Sequence, residues 1–330
     1  MEQLPLQSSF DPYTQNATIL ASDGITSIAI PIPDIDFYND SNLATSANYG
    51  AQLGATVVML FVVLFMTPSV KLRRLLTILH ISGLVISIVR MSLLYTSMHA
   101  HANRFYETWA QDYRNIPASD TRIAVVATTF SMVQVAVTEA ALMSQAWTMV
   151  TFWPPSVKYT VSVTSVIVTL LTLGSRFALV VIQNRAIITL IPPVYFSWGF
   201  NWAIIMNTAS IFWFCAIFNA KLLFHMISNR GILPNRSTVT PMEVLIMANG
   251  VLMLIPSVFA GLEWSKGIDF EVGSLTVTSV VIILPLGSLA AQRISASSML
   301  DGSANSGSNY QTPSDVSLTF VKRPFASHSN

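Results

Sequence analysis

Seven long, nearly uncharged apolar stretches, separated by short polar breaks, constrain this chain more than any other feature. They run over Tyr49–Val70, Leu75–Met98, Ile123–Val150, Val157–Ile182, Pro193–Met226, Pro241–Glu263 and Val272–Ile294. A helix needs ~20 residues to cross a hydrocarbon core about 30 Å thick, and each stretch is long enough. Lipid offers no water to backbone N–H and C=O groups, so only helices and closed barrels span it. These stretches lack the alternation of barrel strands. The expected fold is an all-α membrane protein, a seven-transmembrane helix bundle over residues 49–294. Residues 1–48 form an N-terminal segment and 295–330 a Ser-rich tail.

Composition points the same way. Charged residues make up 10% of the chain, against ~25% in soluble domains. A net charge of +1 gives no sign of a nucleic-acid partner. The single cysteine, Cys215, falls inside the fifth stretch, which rules out an intrachain disulfide and reads as a small packing residue. The first 48 residues are polar and start without a basic region, so no cleavable signal peptide is read there.

Charge also orients the bundle. The segment before the first span carries Glu2, Asp11, Asp23, Asp34, Asp36 and Asp40 and no lysine or arginine, whereas the loop after it carries Lys71, Arg73 and Arg74. Basic loops stay in the cytosol, so the N-terminus is expected outside and, after seven crossings, the C-terminus inside. Lys158, Lys221, Arg230 and Arg236 then fall on the cytosolic side. Arg104, Arg114, Arg122 and Arg185 fall outside, but the first three share a loop with Glu107, Asp112 and Asp120.

In the outer segment, Asn16-Ala17-Thr18 and Asn39-Asp40-Ser41 are glycosylation acceptors. The triplet at Asn235 falls on the cytosolic side and is expected to be unused. Two β-prone runs, Thr18 to Leu20 and Ile25 to Ile30, flank the turn pair Asp23-Gly24. They read either as a small extracellular β-hairpin or as a disordered leader. Residues 295–330 read as flexible, serving regulatory phosphorylation or nothing.

Polar groups inside spans are costly and so informative. Arg90 lies about 22 Å along its helix from the cytosolic start, and Glu139 about 25 Å down from the outer end of the third. That separation argues against an ion pair. Arg90 is expected in a wet outer vestibule and Glu139 deep among helices. His80 and Gln145 fall at similar depth near the cytosolic face, within reach of a hydrogen bond across helices two and three. Asn201 and Trp264 fall near outer helix ends. Pro256 and Pro285 interrupt the sixth and seventh stretches, as tolerated bends or as pivots of a switch. Gly50 and Gly54 form a G-x-x-x-G pattern, read as a dimer contact or as internal packing.

Enzyme signatures are missing. The five histidines are scattered, giving no metal cluster, and no nucleophile elbow or phosphate loop occurs. Neither an enzyme nor a cofactor is expected. The residues alone leave three readings: a receptor for an extracellular ligand, a seven-helix transporter, or a nutrient- or small-molecule-sensing receptor.

Several local patterns in order resemble the fungal alpha-factor-type peptide-pheromone receptors, the class D G-protein-coupled receptors. They are Gly50-x-x-x-Gly54, Glu139 with Gln145, Phe200-Asn201, Lys221-Leu222 before Ser228-Asn229-Arg230, Ile255-Pro256-Ser257 and Leu284-Pro285-Leu286-Gly287-Ser288. The resemblance covers approximately residues 45 to 295. It implies a plasma-membrane receptor that binds a secreted peptide mating pheromone and activates a heterotrimeric G protein. It also implies peptide contacts at Phe200, Asn201 and Trp264, with Arg90, Lys266 and Asp269 as further candidates. His80, Glu139, Gln145, Pro256 and Pro285 correspond to activation positions, His80 standing where the family typically has asparagine. Arg73, Arg74, Lys158, Lys221, Asn229 and Arg230 would meet the G protein. Gly50 and Gly54 would support the family's homodimer.

Overall fold

A computed structural model of the chain describes residues 11–151, 153–189, 197–228, 254–262 and 272–306. It opens on a hairpin of two antiparallel strands, β1 (Asn16–Leu20) and β2 (Ser27–Pro31), with Asn16 opposite Pro31 and Leu20 opposite Ser27. The hairpin expected around Asp23-Gly24 therefore forms. Gly24 supplies the positive φ of 71° that a tight turn requires. Asp23 closes the turn by accepting hydrogen bonds from the Thr26 hydroxyl and the Ile25 and Thr26 amides. These bonds, the Thr26 hydroxyl first, hold its pKa at about 2 against the ordinary 3.8.

A carboxyl depressed by folding stabilises the turn above its unfolded pKa and loses that contribution as pH falls through its folded value. The turn should hold fully above about pH 4 and loosen on approach to pH 2. Amide exchange at Ile25 and Thr26 reads this directly. Equal protection across that window would show that Asp23 does not hold the turn.

The helices follow as α1 (Ile32–Met66), α2 (Ser69–Leu72), α3 (Leu75–Met98), α4 (Phe105–Ala110), α5 (Ala118–Val150), α6 (Pro155–Thr189), α7 (Ser197–Ser228), α8 (Leu254–Leu262) and α9 (Val272–Ser306). Among the described residues, six helices are long and apolar enough to cross a membrane: α1, α3, α5, α6, α7 and α9. The chain is thus a multi-pass membrane helical protein. Of the expected sixth span, Pro241–Glu263, only α8 lies within the described residues.

Two helices outrun their apolar stretches furthest. α1 begins at Ile32 rather than near Tyr49, after an extended Pro31 and with proline in its first turn, where a missing N–H costs nothing. At 1.5 Å per residue it is ~52 Å long, well beyond the hydrocarbon core, so its first turns are free to be polar. α9 likewise continues past Ile294 to Ser306, so the start of the Ser-rich segment is helical.

α5 stands at the centre, packed against α3, α6, α7 and α9. The main core joins Leu142, Ala146 and Met149 of α5 to Phe214 and Phe218 of α7 and to Val280 and Leu284 of α9. A second cluster joins α1, α3 and α9 through Met59, Val63, Leu84 and Val281. Polar side chains such as Gln52, Ser87, Gln134 and Glu139 face inward, while Phe65, Val58 and Leu170 face outward. That inside-out arrangement suits a lipid surround.

Candidate functional site

A cavity of about 420 Å³ opens at the hairpin end of the bundle. Its walls are Ala124 and Thr128 of α5, Ile182 and Ala186 of α6, and Phe200 of α7. Its roof is the segment between α3 and α5, through Asn103, Thr108 and Tyr113. The roof is pinned from several directions. The Tyr38 hydroxyl, on the polar extension of α1, donates to the Asn103 carbonyl at 2.6 Å and lies 3.2 Å from the Thr108 hydroxyl. Its ring meets Phe105 edge-on. Arg114 pairs with Asp112 at 2.9 Å and donates to the Ser22 carbonyl at the hairpin tip, 2.6 Å away. Asp120, in the first turn of α5, accepts the His101 amide at 2.9 Å and sits 2.9 Å from the His101 ring nitrogen Nδ1. Arg114 holds the Asp112 carboxyl below its usual range.

Below the cavity, polar ties cross the bundle. Thr128 donates to the Asn184 side chain, joining α5 and α6. Arg90 Nε donates to Ser131 Oγ at 2.9 Å, joining α3 and α5. Glu139 accepts from Ser210 Oγ at 2.6 Å and Thr169 Oγ1 at 3.2 Å, tying α5 to α7 and α6 at once. Gln52 donates to Asn48 at 3.0 Å and Ser274 at 2.8 Å and accepts from Thr278 at 2.6 Å, joining α1 to α9. Toward the opposite end, Gln145 and His80 share a hydrogen bond of 3.2 Å across α5 and α3.

The expected pairing of His80 with Gln145 is therefore present, as is the deep placement of Glu139, which is 2% exposed. Arg90 differs from expectation. It is 4% exposed and lines no part of the cavity, because its face of α3 turns toward α5 rather than into water. Phe200 lines the cavity, whereas Asn201 is exposed beside it. Trp264, Lys266 and Asp269, like Asn229 and Arg230, lie outside the described residues. Pro285 is buried within α9, and Pro256 is buried in α8. Arg73 and Arg74 are exposed between α2 and α3, Lys158 lies over the Trp147 ring at 5.6 Å, and Lys221 is half-buried in α7.

Among the described residues, nothing from another helix or side chain comes within 4 Å of where a side chain would begin at Gly50 or Gly54. Both glycines are exposed. Cys215 is buried in the main core, as a packing residue would be. Among the described residues no cluster of histidine, cysteine or carboxylate side chains could hold a metal ion.

The family described as fungal pheromone mating factor STE2 GPCR matches residues 10–292. The chain belongs to that family. A search of curated proteins gave no match. As a pheromone G-protein-coupled receptor, the protein receives a fungal mating pheromone and signals through a G protein. The match reaches from just before the hairpin to the far part of α9, so the cavity and the polar ties both lie within it.

Sequence reasoning missed Gln52, Asn184, Ser131, Tyr38 and Asp120 as structural or site residues. For Gln52 a signal was at hand: it is a polar side chain between two glycines in an apolar stretch. For Tyr38 none was, because its partners lie more than sixty positions away.

Proposed function

We propose that this receptor sits in the plasma membrane with its hairpin end outside and takes a secreted peptide pheromone into the cavity under the pinned roof. The opposite end then engages a heterotrimeric G protein through Arg73, Arg74, Lys158 and Lys221, together with Asn229 and Arg230. The family match carries this reading, and the cavity, concave and mostly apolar with a few convergent polar groups, supports it. The acidic hairpin segment and the basic α2–α3 junction support the orientation. Asn16 and Asn39 are exposed at the hairpin end, open to glycosylation.

Phe200 and Asn201 meet the peptide, with Trp264, Lys266 and Asp269 in the last outer loop. Arg90 acts from beneath by fixing α5 through Ser131. Gly50 and Gly54, facing outward on α1, allow a second copy to approach closely. No catalytic step or cofactor is involved.

The mechanism is a population shift. The peptide must bind one helix arrangement better than another, and the ties at Glu139 and at His80–Gln145, with Pro256 and Pro285, are the elements whose arrangement changes. Coupling is reciprocal, so bound G protein raises peptide affinity by the factor by which peptide favours G-protein binding.

The test is nucleotide exchange on a purified fungal G protein, with receptor in lipid and synthetic alpha-type pheromone peptides. Exchange should depend on peptide, and Ala186→Trp, which fills the cavity, should weaken peptide binding at least about tenfold. Peptide-dependent exchange that is indifferent to Ala186→Trp would move the site out of this cavity. No exchange with any peptide, from receptor shown to be folded, would overturn the reading.

A further inference from the structure

Among the described residues that line the cavity, Asp120 is the one that is charged, and the others are apolar or neutral. Its carboxylate is not fully used. Oδ2 takes both His101 contacts, while Oδ1 accepts only the Ser119 hydroxyl, at 3.2 Å. The side chain is 15% exposed, so a ligand seated in the cavity would strip it of its remaining water. Covering an ionised carboxylate whose Oδ1 accepts one hydrogen bond, of 3.2 Å, is costly, and an anionic ligand would be repelled. A cation beside an apolar group satisfies both the charge and the walls.

Exposed Arg104, Arg114, Arg122 and Arg185 flank the cavity, but acidic side chains outnumber them at this end of the bundle. Asp11, Asp23, Asp34, Asp36 and Asp40 are all exposed, and no lysine or arginine occurs before Lys71. Such a field raises the local concentration and association rate of a positively charged ligand.

We infer that the cavity selects a peptide bearing an ammonium group next to an apolar side chain, and that Asp120 Oδ1 receives the cation. The inference rests on the placement of the pheromone site in this cavity. His101 positions the carboxylate by holding Oδ2, and Phe200, Ile182 and Ala186 receive the apolar group.

The test uses an alpha-type pheromone peptide in two forms, one with its amines free and one with them acetylated. Wild-type receptor should bind the free form roughly tenfold tighter. Asp120→Asn, which keeps an acceptor for the His101 amide, should reduce that preference to near unity, and Asp120→Glu should restore it. A variant that weakens both forms equally would show that Asp120 merely braces the roof, and the inference would fail. So would equal binding of both forms by wild type. Binding of neither form by folded wild-type receptor would instead overturn the placement of the pheromone site, and the inference with it.

Discussion

Phe214→Ala should lower the receptor's stability by about 2 kcal/mol. Phe214 is fully buried where α5, α7 and α9 meet, packed with Leu142, Met149, Phe218 and Leu284. In a soluble protein such a truncation costs about 3–5 kcal/mol, part of it transfer from water to core. Between membrane helices that transfer term largely vanishes, because lipid tails are as apolar as the core. The cavity term remains. Removing roughly 100 Å³ at about 24 cal/mol per Å³ gives a little over 2 kcal/mol. Thermal unfolding of the purified receptor measures it, with Phe214→Leu as the smaller step. An unchanged melting temperature would mean that the three helices close over the gap, and that their junction is softer than its packing implies.

What was legible in the sequence was whatever lipid enforces. Hydropathy located six of the spans, and depth alone brought His80 to Gln145 and sent Glu139 inward, while Asp23-Gly24 marked the hairpin. What was not legible was whatever lipid does not enforce. α1 runs polar from Ile32 and α9 runs polar to Ser306, since outside the hydrocarbon a helix needs no apolar surface. Depth also says nothing about rotation. The face of α3 that Arg90 occupies turns toward Ser131 rather than toward water. The cavity was harder still. Its roof depends on Tyr38, Arg114 and Asp120 meeting partners from separate segments, and no spacing along the chain announces such contacts.

Glu139→Ala should raise peptide-independent nucleotide exchange on the G protein, by a factor of about 5 to 30. Its carboxyl accepts from Ser210 on α7 and Thr169 on α6, both at hydrogen-bond distance and away from water. Interhelical hydrogen bonds in membranes average about 0.6 kcal/mol and reach about 1.7. Losing two, with two buried hydroxyls left to find other acceptors, amounts to about 1–2 kcal/mol. A shift of that size changes a two-state ratio by about 5 to 30-fold. On the proposed population shift these bonds belong to the resting arrangement, so their loss favours the signalling state. Glu139→Gln keeps one carbonyl acceptor and presents an NH₂ group to the other hydroxyl, so it should fall between wild type and alanine. The ordering of the three proteins separates this account from simple loosening. A receptor merely destabilised by Glu139→Ala loses peptide binding and basal exchange together. A receptor released from its resting tie gains basal exchange and binds peptide more tightly, because less of the peptide's binding energy is spent on the change of state.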